Sequence, residues 1–263
     1  MDRPSSVVST VMLASAVAAT LGLATASCPD SVHYAHLGVC HCTCVLIDVG
    51  LNTGKSLREW AREAAPQVPT SRLRECAESA DTCYYGFEAN PRFDSTLTAK
   101  ETKMRSAGKR VRLFTGTAFN THDQPTTFLV DRNARMTSEG VATGSTLEGD
   151  MMLTFMDKDG KWRHNPNKTV AERYKRETVR SIDASAFLSA VLAASDWVGM
   201  KLDIEGFEYA LLPHLLVQSP RALCGLKVLA IEWHPVPKQS GANEHLSWLL
   251  QQPACNVTLV TWH

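Results

Sequence analysis

Four short apolar runs in this chain end on acidic residues. Asp48 closes the run in "CVLIDVGLNTGKS" (44–56), and Glu88 the run in "TCYYGFEANP" (82–91). Asp203 and Glu205 follow "WVGMKL", and Glu232 with His234 follows "LKVLAI". A carboxylate is costly to bury unless it accepts hydrogen bonds or faces a ligand. Four runs finishing in this way point to one edge of the molecule that handles a polar ligand. After Asp48 come Gly50, Asn52 and Gly54, a spacing that lets the backbone turn sharply and approach something other than protein.

The turn excludes two common ligand classes. A nucleoside triphosphate loop needs G-x-x-x-x-G-K-[ST], and "GLNTGKS" lacks that glycine spacing despite its Gly-Lys-Ser ending. A dinucleotide loop needs G-x-G-x-x-G, which is absent here. D-x-G-x-N-x-G instead suits a ligand without phosphates, whose ammonium and carboxylate meet an acid and backbone N–H groups. Glu88 is then placed to accept from a ribose 2′,3′-diol. S-adenosylmethionine has these features.

Asp203, Glu205, Glu208 and His234 are candidates for taking a proton from an attacking group. Strand alternation predicts Asp203 and Glu205 on one face, where two carboxylates raise one another's pKa or bind a divalent cation. No residue is assigned as a metal ligand. Glu232, two positions before His234, would orient its ring and raise its basicity. Glu208 has a second reading, as a first-turn carboxylate complementing a helix dipole, and Lys201 would neutralise Asp203.

The elements that hold these residues alternate. Strands are expected at 44–50, 82–88, 110–116, 197–206 and 226–235, with a last one in "VTLVTWH". Helices are expected at 55–65 (Leu57, Trp60, Ala61 and Ala64 at helical spacing, closed by Pro66), 92–107 and 183–194, in "FEYALLPHLLV" and in "NEHLSWLLQQ". This is an α/β chain with a mostly parallel central sheet and helices on both faces. From about 117 to 180 the periodicity is lost: "TTFLVDRN" is a candidate strand, and the Gly-rich polar text after it suggests an irregular insertion that would accommodate a hairpin.

"LIDVGLNTGKS", "YYGFEANP", "MKLDIEGFEYALL" and "LKVLAIEWHP" occur in the order of the D-V-G-A-N-x-G, F-E-P-N-P, K-x-D-x-E-G-x-E and E-x-H elements of FkbM-family methyltransferases, and the chain resembles that family over roughly residues 44–235. The resemblance implies a Rossmann-like class I methyltransferase fold, S-adenosyl-L-methionine as cofactor, and O-methylation of a small-molecule or glycan hydroxyl. It implies that Asp48, Gly50, Asn52 and Gly54 line the methionine side of the cofactor and that Glu88 holds the ribose. Asn90 completes the second element. Ala89 stands where the family has proline. "QVPTSRLRECAESADTC" lengthens the first crossover and looks like an insertion, closed by a Cys76–Cys83 bridge.

Length and composition set the frame. With 263 residues, the chain is long enough for one large domain. Lys+Arg and Asp+Glu balance at 27 each, so no general attraction to nucleic acid is expected. Residues 7–26 carry no charge and end in Ala24-Thr25-Ala26, a small-x-small pattern, so 1–27 reads as a cleaved secretory signal. Uncleaved, the run would anchor the chain as a type II membrane protein. Residues 28–43 form a Cys-rich connector and 44–263 the methyltransferase domain.

Eight cysteines suit an oxidising lumen. "CHCTC" (40–44) invites a zinc reading, but no C-x-x-C partner exists, which favours disulfides. Asn167-Lys168-Thr169 and Asn256-Val257-Thr258 are glycosylation sequons. Two other functions stay open: a non-catalytic Rossmann-like binding protein, and a lumenal metal-dependent glycosyltransferase using Asp157-x-Asp159.

Overall fold

In the computed structural model, residues 39–132, 136–137, 140–141, 146–147, 154–156, 162–164, 174–234 and 241–262 are described. β1 (Cys42–Val49) is buried on both faces, with only Thr43 partly exposed. Successive side chains point to opposite faces, so Leu46 enters one core layer, while Val45, Ile47 and Val49 enter the other. α1 (Ser56–Ala64) covers the Leu46 layer with Leu57, Trp60, Ala61 and Ala64, the stripe expected from its spacing. α2 (Arg72–Glu78) follows within the lengthened crossover. β2 (Thr82–Glu88) is buried at all seven positions. α3 (Asp94–Ser106) then leads to β3 (Arg110–Thr115).

A smaller sheet comes next. It is built from β4 (Thr117–Asn120), β5 (Thr126–Asp131), two-residue β8 (Thr146–Leu147) and β11 (Tyr174–Asp183), in the order β4-β11-β5-β8. β6 (Met136–Thr137) pairs with β7 (Gly140–Val141), and β9 (Thr154–Met156) with β10 (Trp162–His164), as two short ribbons. The text of 117–180 that reads as irregular is therefore largely strand wherever it is described. β11 escapes the hydrophobic pattern because only Tyr174, Val179 and Ser181 of its ten residues are buried, and just two of those are apolar.

α4 (Ala184–Ala193) opens with the Asp183 carboxylate accepting from Ala186 N–H at 3.0 Å, the cap expected there. β12 (Ser195–Leu202), α5 (Glu208–Gln218), α6 (Pro220–Gly225), β13 (Val228–Ile231), α7 (Ala242–Leu250) and β14 (Thr258–Thr261) complete the chain. The main sheet runs β14-β13-β12-β1-β2-β3 with every pairing parallel. The layer containing α4 to α7 covers the face opposite α1 to α3. This is the mostly parallel, doubly covered α/β architecture expected, in a Rossmann-like arrangement. Strand order reverses between β1 and β12, and the carboxyl ends there are where such sheets bind ligands.

One pairing expectation is overturned. Cys76 and Cys83 do not bond to each other. Cys76 joins Cys44 and Cys83 joins Cys42, with Cα separations of 5.6 and 5.9 Å, and Cys224 joins Cys255. α2 turns Cys76 back onto β1, while Cys83 sits in the adjacent strand. Spacing alone carries no such connectivity. No cysteine is free among the described residues, and all three cysteines of "CHCTC" are held in disulfides.

Candidate active site

The turn after β1 is shaped by close backbone approach. Gly50 has φ +87°, and a Cβ there would lie 1.8 Å from the Asp203 carbonyl oxygen. Only glycine fits between these two chain segments. Gly50 and Leu51 N–H both donate to the Phe87 carbonyl, at 3.0 and 3.1 Å, so the turn is tied to β2 as well. Asn52 is left-handed (φ 54°), which aims its N–H at Glu88 Oε2, 2.6 Å away. Gly54 is also left-handed and packs under Leu97 and Lys100.

Glu88 is buried, and its second oxygen accepts from Asn90 N–H at 2.7 Å. Asn90 in turn uses its side-chain oxygen to accept from Arg92 N–H at 3.1 Å, fixing the turn into α3. Burial pushes the Glu88 carboxyl up to about 7 against the pull of its two N–H donors. Each carboxylate oxygen has room for a second donor, and Glu88 lines a cleft of about 720 Å³, measured with its open mouth. Gly50, Asn52 and Asn90 share its wall, Phe119 and Phe128 come from the smaller sheet, and Asp203 and Glu205 line it from the carboxyl end of β12.

Asp48 behaves differently. It is fully buried beneath the turn and lines neither this cleft nor a second cavity, of about 630 Å³ with its open mouth, beside Ser56 and Trp262. Its carboxylate accepts from Ser56 Oγ at 2.7 Å and Lys201 Nζ at 3.3 Å. Lys201 is a buried hub that also donates to the Gly50 carbonyl at 3.3 Å and to Asp203 at 3.0 Å. Burial alone would lower the lysine's pKa, but Asp48 and Asp203 outweigh it and hold the ammonium charged. Asp48 thus bears on the cleft through Lys201.

Asp203 and Glu205 do come together, though not by strand alternation. β12 ends at Leu202, and Glu205 sits in a tight turn at φ 56°. The turn is closed by Glu208, fully buried at the start of α5, whose oxygens accept from Ile204 N–H at 2.7 Å and Gly206 N–H at 2.8 Å. Glu208 Oε1 also contacts His234 Nδ1 at 3.1 Å. The ring is thereby oriented by Glu208, whereas Glu232, the partner expected from spacing, stands 3.9 Å from Nε2. That outcome has a physical reason: β13 stops at Ile231, so residues 232 to 234 no longer alternate as a strand.

His234 Nε2 faces Glu205 at 3.5 Å and Asp203 at 3.8 Å. Burial would lower the histidine's pKa, but Glu208, Glu205 and Asp203 prevail and push it up to about 9. Burial raises Glu205 to about 8, with Asp203, Glu208 and Glu232 adding to the rise against His234. At neutral pH this part of the cleft holds protons that ordinary side chains would have released. Asp203, Glu205 and His234 each place one ligand atom within 4.8 Å of the others, close enough to hold a divalent cation.

Of the sequence candidates, Gly50, Asn52, Glu88, Asn90, Asp203 and Glu205 line one cleft. His234 stands behind the last two, and Gly54 and Asp48 support the turn from below. Lys201 and Glu208 are more central than the sequence reading made them, and both lie inside the K-x-D-x-E-G-x-E block. Asp157 and Asp159 lie outside the described residues.

A Rossmann-like sheet with a cleft at its switch point and acids at four strand ends defines an α/β class that binds ligands at the carboxyl ends of its strands. Within that class, a family model for the methyltransferase FkbM domain matches residues 48–256, and the chain belongs to that methyltransferase family. No curated protein and no solved structure matches it.

Proposed function

We propose that the chain is an S-adenosylmethionine-dependent O-methyltransferase acting on a hydroxyl of a glycan or other small molecule. The observation that carries this reading is Glu88. It is a buried carboxylate fixed by two backbone N–H groups at the switch-point cleft, with acceptor capacity left on both oxygens for a vicinal diol. The residues present fit the cofactor: Gly50 presents bare backbone to the cleft, Phe119 and Phe128 offer apolar surface for a base, and Asp203 offers negative charge to a sulfonium. When bound, S-adenosylmethionine supplies an electrophilic methyl group.

The chain's own residues would do the rest. Glu88 binds and orients, and the Lys201 hub keeps the Gly50 turn and Asp203 in fixed relation. Displacement at a methyl group needs the acceptor oxygen aligned and its proton removed. His234 is held protonated by its neighbours, so a carboxylate, Glu205 or Asp203, takes that proton. The imidazolium, oriented by Glu208, stabilises the carboxylate's charge.

The three disulfides between described residues are compatible with a secreted or lumenal protein, and we propose the secretory lumen as its address. No helix among the described residues is long and apolar enough to cross a membrane. Residues 1–27, read as a signal, lie outside the described residues.

Calorimetric titration of S-adenosylmethionine tests the cofactor reading. The parent chain is expected to bind and Glu88→Ala to bind at least tenfold more weakly. A parent chain that binds none removes the proposal. Transfer of labelled methyl groups to a panel of sugars and small alcohols then names the acceptor.

A further inference from the structure

Asn256-Val257-Thr258 takes no part in the site described above, and the fold gives it a definite place. Asn256 is exposed, in the turn between α7 and β14, directly after the Cys224–Cys255 bridge. Its backbone is left-handed (φ 52°), and its N–H donates to the Gln252 carbonyl at 2.7 Å, so the turn itself is well formed. β14 begins at Thr258 and runs parallel to the rest of the main sheet. Asn256 therefore sits at the amino-terminal edge of that sheet, whereas the cleft opens at the carboxyl-terminal edge. At the other end of β14, Trp262 lines the second cavity. A bulky group on Asn256 would project away from both openings.

We propose that Asn256 carries an N-linked oligosaccharide. The inference rests on the lumenal address proposed above and is independent of the methyltransferase reading. In the modification, the Asn256 side-chain nitrogen attacks the anomeric carbon of a lipid-pyrophosphate-linked oligosaccharide. The new N–C bond forms as the C–O bond to the pyrophosphate breaks, the amide nitrogen loses one proton, and the lipid pyrophosphate leaves. The compartment supplies that donor. The Thr258 hydroxyl completes the acceptor sequence. β14 is an edge strand of the main sheet, paired only with β13, so one of its sides carries no neighbouring strand.

Asparagine is also a common residue at left-handed positions, so the test must separate that structural role from modification. The full chain is expressed in secretory eukaryotic cells, and its peptides are read by mass spectrometry before and after amidase treatment in ¹⁸O water. Asn256 is expected to be converted to labelled aspartate. Asn256→Asp and Thr258→Val, both compatible with the local backbone, each lose one glycan step on a gel. Thr258→Ser keeps it. Asn167→Gln controls for the second sequon. Cofactor affinity is expected to be equal with and without the glycan.

Protease protection in intact microsomes is read in parallel. A protected chain with unmodified Asn256 overturns the glycan site alone. A chain digested from outside overturns the lumenal address and the site together.

Discussion

Two parts of the main cleft hold their carboxylates by opposite means. Glu88 is fixed by neutral backbone donors, Asn52 and Asn90 N–H, each in a turn whose conformation is set independently of any ligand. Asp203 and Glu205 are held instead by other charges, with Lys201 on one side and His234 on the other. Backbone donors fix a carboxylate in place and favour its ionised form whatever the charge state of other side chains. Charges make each group's protonation depend on its neighbours. The first arrangement suits binding and the second suits moving a proton, and a methyl-transfer site needs both.

The strongest way to break this contrast is at the charged part. Glu205→Gln removes a proton acceptor and is expected to lower kcat by about 10²- to 10⁴-fold, with cofactor affinity unchanged within about twofold. Rapid-quench turnover with parallel calorimetry would check the split, and a variant losing affinity instead would merge the two parts. Lys201→Met leaves Asp48 buried without its counter-ion and is expected to destabilise the fold by roughly 3–5 kcal/mol. Lys201→Arg should recover part of that loss in denaturant titrations.

At the neutral part, Glu88→Ala should weaken the cofactor by about 1.5–3 kcal/mol, the range for hydrogen bonds to a charged group, while kcat at saturation changes little. The smallest and most diagnostic effect is in pH. Glu205, raised to about 8, must lose its proton to act as the base, so kcat should climb with pH up to about 8. Stability should move the other way. Glu205 and His234 both titrate higher in the folded state than in the unfolded chain, so the native form binds more protons from about pH 4.5 up to about pH 9. Melting temperature should fall across the window in which activity rises. Glu205→Gln is expected to flatten the rate profile and to remove only Glu205's share of the stability slope, leaving that of His234.

Much of this could be read from the residues, and the rest could not for identifiable reasons. β1 and β2 were legible because buried parallel strands are apolar on both faces, and the acids at their ends contrast with that background. β11 was not, since a strand with few buried positions over a small core has few apolar residues to report. Asp203 and Glu205 were rightly grouped but by the wrong argument. Their meeting depends on a left-handed residue, and a glutamate at such a φ gives no compositional sign of it. Glu208 was harder still. A first-turn glutamate is common on any helix, and only coordinates reveal that this one closes a turn and orients a histidine 26 positions away.

The Cys42–Cys83 and Cys44–Cys76 bridges lie toward the starts of β1 and β2, several residues from the turns that form the cleft. The sheet is thus riveted at its back edge, like a fan pinned at the handle, while the working tips rely on noncovalent ties alone. A reducing environment would then shorten the protein's lifetime before it dulled the chemistry of each intact molecule.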